Sequence, residues 1–186
     1  MNSKRQVYIV HGYRAKTSDH WFDWLKNKLE NDQIAVTILA MPDSANPQKE
    51  AWLSYLKQHT VITPHTYFIA HSLGCVATLL FLSRSGYQIK GAILLSGFLR
   101  ELPEIPELDS FIGEKINFEN IIQQIPDRLT IAAEDDYIVP FSLTEEFAKA
   151  IQAPLLKVSQ GGHFLGADNF KEFPLLLTEA AKMINS

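Results

Sequence analysis

A serine, a run of acids and a histidine stand where together they could make a nucleophile. Ser72 lies in Ala70-His71-Ser72-Leu73-Gly74, after the apolar, β-prone run Tyr67-Phe68-Ile69-Ala70 and before an apolar helical run from Cys75 to Leu82. Strand, tight turn and helix with a serine at the apex is the context of a nucleophile elbow. The usual pattern there is Gly-x-Ser-x-Gly; here alanine takes the first position. Small residues are needed on both sides because strand and helix approach closely across the turn. A serine hydroxyl is a weak nucleophile at neutral pH and needs an adjacent base. Histidine suits, since its pKa lies near working pH, and a carboxylate must hold its tautomer. His163, in Gly161-Gly162-His163-Phe164, is the candidate base. Asp136 is the candidate carboxylate, with Asp135 and Glu134 as neighbours that the residues alone leave open. Charge developing on an attacked carbonyl needs two N–H donors, an oxyanion hole. Leu73, directly after the serine, should supply one. The loop His11-Gly12-Tyr13 should supply the other, from Tyr13 with Gly12 as the alternate.

Other reactive side chains receive plainer readings. His71 precedes the serine and is expected to project away from it, packed or hydrogen-bonded. His11 is expected to brace its loop. His20, His59 and His65 read as surface or capping residues, and Cys75 as core. There is no His-Glu-x-x-His and no cysteine pair, so no metal is expected. Neither Gly-x-x-x-x-Gly-Lys-Ser/Thr nor Gly-x-Gly-x-x-Gly occurs, so no nucleotide cofactor is expected.

The elements that must position these residues alternate along the chain. Strands are expected at Val7–Val10, Ile34–Leu39, Tyr67–Ala70, Ala92–Leu95, Leu129–Ala133 and Pro154–Val158. Their apolar runs lack polar alternation, as in strands buried on both faces. Helices are expected between them. One carries Trp21, Phe22, Leu25 and Leu29 and is capped by Ser18 or Asp19; another spans Gln48–His59. A third follows the elbow and ends at Gly86; a fourth spans Asn117–Gln124. A fifth is opened by Ser142 or Thr144, and the last covers Phe170–Ile184. This alternation implies an α/β fold with a mostly parallel sheet wound on both faces. In such sheets ligands bind at the C-terminal ends of strands. His11, Ser72, Asp135, Asp136 and His163 all follow strands directly.

The 186 residues suffice for one domain with a substantial core. Residues 97–127 form the longest excursion between strands and read as a small cap-like insertion. The balance of 17 Lys+Arg against 21 Asp+Glu leaves no basic stripe, so nucleic acid is not an expected partner. No apolar run approaches the ~20 residues that span a bilayer, so no membrane insertion is expected. One cysteine precludes an intrachain disulfide, and the N-terminus lacks a signal-peptide pattern; together they suggest a cytoplasmic protein.

With these residues in hand, the chain resembles the α/β-hydrolases. More narrowly it resembles the small serine hydrolases related to retinoblastoma-binding protein nine, and among them the bacterial YdeN-type members. The resemblance rests on the run Val7 to Ala15, His20-Trp21-Phe22, Ala70 to Cys75, Leu95 to Phe98, Asp135 to Ser142 and Gly161 to Leu165. It implies a compact fold of about six strands in the order 2-1-3-4-5-6, lacking the first two strands of larger hydrolases. It also implies a triad of Ser72, Asp136 and His163. In related hydrolases the triad aspartate stands four residues before the proline of Asp-x-x-Val-Pro, here Asp136 before Pro140. The mammalian namesake's Leu-x-Cys-x-Glu segment, associated with retinoblastoma-protein binding, is not carried over: Leu73-Gly74-Cys75-Val76-Ala77 lacks the glutamate. The expected function is hydrolysis of a small carboxylic ester through an acyl-enzyme, without a cofactor. Thioester or amide specificity and a non-catalytic interaction module are the alternatives.

Overall fold

A computed structural model describes residues 4–186. Six apolar runs form β1 (Arg5–Val10), β2 (Ile34–Leu39), β3 (Thr66–His71), β4 (Gly91–Leu95), β5 (Asp127–Ala133) and β6 (Leu155–Val158). Every pairing is parallel, and the order across the sheet is β2-β1-β3-β4-β5-β6. Parallel strands need crossovers, and helices supply them. These are α1 (Phe22–Leu29), α2 (Lys49–His59), α3 (Leu73–Ser85), α4 (Phe118–Gln124), α5 (Phe141–Ala150) and α6 (Pro174–Asn185).

Alternate strand residues feed two cores. Val7, Ile9, Tyr67, Ile69, Ile93 and Leu95 join α1 and α6 on one face. Tyr8, Val10, Phe68, Ala70, Ala92 and Leu94 join α2, α3, α4 and α5 on the other. Burial on both faces is why these strands read as unbroken apolar runs. The chain steps from β1 outward to β2, then back across β1 to β3, which makes a switch point between β1 and β3. Val10 is in register with Ala70, so the loop after β1 and the turn after β3 emerge side by side.

Three helix starts differ from expectation. Neither Ser18 nor Asp19 caps α1, which begins at Phe22 after Trp21. His20 has φ 54, a left-handed conformation that no helix continues through, and the Asp19 carboxylate instead accepts from the Lys16 N–H. Pro140, not Ser142 or Thr144, precedes α5. The last helix begins at Pro174, because Phe170 and Phe173 are held in an aromatic cluster with Phe164.

The segment between β4 and β5 holds a short 3-10 turn (Pro106–Phe111) and α4. Asn117 caps α4, its side chain accepting from the Asn120 N–H. Leu102, Leu108, Phe111 and Ile121 bury the segment against the α2 and α3 core. Ion pairs secure its edges. Arg84 forks between Glu50 and Glu114, Lys49 also reaches Glu114, and Arg100 grips Glu146. The hydrogen bonds and charge of Arg84 and Lys49 hold the Glu114 carboxyl at about 2, below its ordinary 4.5. A depressed folded pKa stabilises above the unfolded value and loses that contribution as pH falls through the folded one. Thermal melts between about pH 4.5 and about pH 2 should therefore fall with acidification. Their slope should be shallower in Glu114→Gln, and an unchanged slope would rule this contribution out.

Candidate active site

The turn after β3 is held in a conformation that serine rarely adopts. Ser72 has φ 55 and ψ −122. Such strain persists only where the surroundings over-determine it. Here the Ser72 N–H donates to the Leu95 carbonyl at 2.8 Å, tying the turn to the end of β4. Close packing does the rest. A Cβ on Gly74 would lie 2.4 Å from the Val10 carbonyl oxygen, and one on Gly12 would lie 2.9 Å from the Ser72 Cβ. Ser72 is 5% exposed. The N–H groups of Leu73 and Tyr13 have no partner among the described residues, so both donors remain available.

His11 orients the second donor. The Met41 N–H donates to its Nε2 at 3.1 Å, which leaves Nδ1–H to donate to the Gly12 carbonyl at 2.9 Å. That carbonyl shares a peptide plane with the Tyr13 N–H. Fixing one end of the plane aims the other. Burial lowers the His11 pKa, in keeping with a neutral ring in this tautomer. The bracing expected of His11 is thus present.

Of the three acids after β5, Asp136 meets the histidine. Its Oδ2 lies 2.8 Å and its Oδ1 3.0 Å from His163 Nδ1. Both side chains are buried. Asp136 Oδ1 also accepts from the Ile138 and Val139 N–H groups, each at 2.9 Å, and Oδ2 accepts from the Ser96 hydroxyl at 2.8 Å. Glu134 is exposed. Asp135 has different work: its Oδ1 accepts from the Gly161 and Gly162 N–H groups at 2.7 and 2.9 Å. Those two bonds lower its pKa. Asp168 clasps the same loop from the other side, accepting from the His163 and Leu165 N–H groups. Gly162 sits at φ 51, and a Cβ there would lie 2.6 Å from the Asp168 carboxyl carbon. The glycines before His163 therefore serve a loop gripped by two carboxylates.

Two histidines need correction or refinement. His20, read as a surface or capping residue, lines the same cavity as Ser72, and its Nδ1 accepts from the Gly166 N–H at 2.9 Å. His71 lies beneath His163, with ring centroids 4.8 Å apart and its Nε2 2.8 Å from the His163 carbonyl. It is hydrogen-bonded as expected, but it supports the His163 loop rather than pointing clear of the site. Burial first, then the neighbouring His163, holds its pKa well below the ordinary value. His59 and His65 are exposed.

A cavity of about 410 Å³ joins these parts. Ser72, His163, Gly12 and Tyr13 line one side and Leu102, Ile105 and Leu108 the other. Ser72 and His163 share it without a hydrogen bond between their side chains, a bond that in many ligand-free hydrolases tightens only around substrate. Sequence reasoning misses Ser96, Asp168 and the loop-holding role of Asp135. Ser96 alone carries a signal: it is a polar residue directly after a strand, as Ser72 is. Among the described residues no group of three or more His, Cys, Asp or Glu could hold a metal ion, and no helix is long and apolar enough to cross a membrane.

A family model described as serine hydrolase matches residues 7–180. The chain belongs to the serine hydrolase family. It is 44% identical over 176 residues to the protein YdeN of Bacillus subtilis (strain 168), covering 92% of each. The crystal structure of that gene product superposes with a TM-score of 0.93 at 41% identity, over 98% of this chain and 100% of the other. This serine hydrolase is also 25% identical over 146 residues to the serine hydrolase RBBP9 of Rattus norvegicus, covering 77% of each. Est1E from Butyrivibrio proteoclasticus shares the fold, with a TM-score of 0.72 at 16% identity over 100% of this chain and 90% of that one.

Proposed function

We propose that this serine hydrolase cleaves a small carboxylic ester through an acyl-enzyme formed on Ser72. The observation that carries the reading is the buried Asp136–His163 pair opening into the same cavity as Ser72 at its strained turn. His163 Nε2 takes the hydroxyl proton as Ser72 Oγ attacks the carbonyl carbon. The carbonyl oxygen becomes an oxyanion and accepts from the Leu73 and Tyr13 N–H groups. Collapse breaks the bond to the alcohol oxygen, which leaves with the proton from His163. Water then gives a proton to His163 and attacks the acyl carbon. The Ser72–acyl bond breaks, Ser72 recovers its proton, and the carboxylic acid departs. Asp136 keeps the His163 Nδ1 proton in place and stabilises the imidazolium. A thioester or amide would follow the same steps with a different leaving atom.

Residues 97–127 act in this reading as a small cap within one domain, supplying Leu102, Ile105 and Leu108 to the acyl side of the cavity. The single cysteine is a buried free thiol, in keeping with a cytoplasmic location. The direct test is labelling by a fluorophosphonate probe with release of p-nitrophenol from short esters. Wild-type protein should do both, and Ser72→Ala neither. Equal labelling of Ser72→Ala would end this reading.

A further inference from the structure

The cavity is lopsided in charge. Asp19, Glu104 and Glu107 line it, against the one guanidinium of Arg14. None of the three carboxylates is in an ion pair with a lysine or arginine among the described residues. Glu107 accepts from the Tyr13 hydroxyl at 3.3 Å, and it and Glu104 are exposed at the cavity's edge. That neutral bond leaves its charge beside the oxyanion loop. Arg14 is exposed, and its guanidinium lies 4.9 Å over the Tyr13 ring. Burial lowers the pKa of both His20 and His71, which disfavours a positive charge on either ring. Leu102, Ile105, Leu108 and Ile138 give the wall an apolar part.

Charges of one sign lining a concave cavity raise the local concentration of the opposite charge, an effect that salt screens where the charges are exposed. A carboxylate or phosphate on the substrate would meet three like charges. A cationic group would find three carboxylates that no lysine or arginine among the described residues already pairs. We propose that this cavity selects acyl substrates by charge, preferring cationic over neutral and neutral over anionic, with Asp19, Glu104 and Glu107 as the selecting residues. The proposal rests on the hydrolase reading above. One consequence is that thioesters of phosphorylated carriers are poor substrates beside simple esters.

Three p-nitrophenyl esters test it: the 4-(trimethylammonio)butyrate, the butyrate and the hemisuccinate. Each kcat/KM is divided by that ester's own rate in alkali, which removes differences in intrinsic reactivity. At low ionic strength the cationic ester should exceed the anionic one on the order of tenfold. The ratio should shrink toward unity in ~1 M NaCl, where charges are screened within about 3 Å. It should shrink likewise in a Glu104→Gln, Glu107→Gln double variant. The same charge change at Glu119, exposed on α4 outside the cavity, should leave the ratio as in wild type. Turnover of the butyrate without this order, or a ratio that survives the double variant, overturns the charge selection alone. Absence of turnover of all three esters, with no fluorophosphonate labelling of Ser72, overturns the hydrolase reading and the selection with it.

Discussion

Asp136→Asn should fold and yet lose roughly a thousand- to ten-thousand-fold in kcat for ester hydrolysis, the scale seen when a triad aspartate elsewhere becomes an amide. The hydrogen bonds around this carboxylate say why. Oδ1 accepts from two backbone N–H groups, those of Ile138 and Val139. An asparagine would set its carbonyl oxygen there, since an amide nitrogen facing two donors would leave all of them unpaired. Its NH2 then falls where Oδ2 was, against His163 Nδ1 and the Ser96 hydroxyl. The hydroxyl can rotate to accept. His163 Nδ1 must accept too, which moves the ring proton to Nε2, the atom that takes the proton from Ser72 in the proposed mechanism. The substitution thus fits the site and inverts the tautomer. Ser96→Ala removes one bond to a carboxylate, worth about 1.5 kcal/mol, and keeps the tautomer, so roughly a tenfold loss is expected. Asp135→Asn keeps an oxygen for Gly161 and Gly162 and should cost less than Asp136→Asn. Steady-state kinetics beside a thermal melt separate the three. A loss under about tenfold in a well-folded Asp136→Asn would remove Asp136 from the proposed mechanism.

The contrast between Asp135 and Asp136 also marks where sequence reading works and where it stops. The sheet is legible because burial on both faces writes unbroken apolar runs into β1, β3 and β4, and the strand order follows from the family resemblance. Ser72 and His163 can be picked out from the sequence because each follows a strand, and the fold brings both to one cavity. The residues alone do not separate Glu134, Asp135 and Asp136, since which acid turns inward depends on a two-residue turn after Ala133. Ile138 and Val139 N–H groups decide it in space. His20 escapes a sequence reading because nothing near it reports that the loop before α1 packs beside the end of β3. Its left-handed φ and its bond to the Gly166 N–H arise only when residues far apart in the chain meet. Asp168 is invisible for the same reason: it grips a loop by backbone N–H groups, which leave no side-chain pattern.

Gly74→Ala should be the most destabilising of the glycine-to-alanine changes in α3 and at its cap, by about 2–3 kcal/mol net. Two effects oppose. Alanine is the better helix former by roughly 1 kcal/mol, which favours the variant. Against this, the added Cβ would lie 2.4 Å from the Val10 oxygen, 2.8 Å from the His11 oxygen and 3.0 Å from the Val10 carbonyl carbon. All three are backbone atoms, so no side chain can rotate aside. The helix would have to back away from β1, yet Leu73 to Leu82 is buried throughout and the Ser72 N–H is fastened to Leu95. Overpacking therefore outweighs propensity. Gly86→Ala provides the comparison. A Cβ there meets nothing within 4 Å, and only its φ of +71 opposes the change, so about 1 kcal/mol is expected. Urea unfolding of the two variants should rank Gly74→Ala well below Gly86→Ala, and the reverse order would contradict the close approach of α3 to β1. Any folded Gly74→Ala should also hydrolyse esters poorly, because a displaced α3 carries the Leu73 N–H away from the one on Tyr13. The glycine two residues after the serine thus has no side chain to do chemistry; it sets the distance between the turn and the loop whose N–H groups the proposed mechanism aims at one oxyanion.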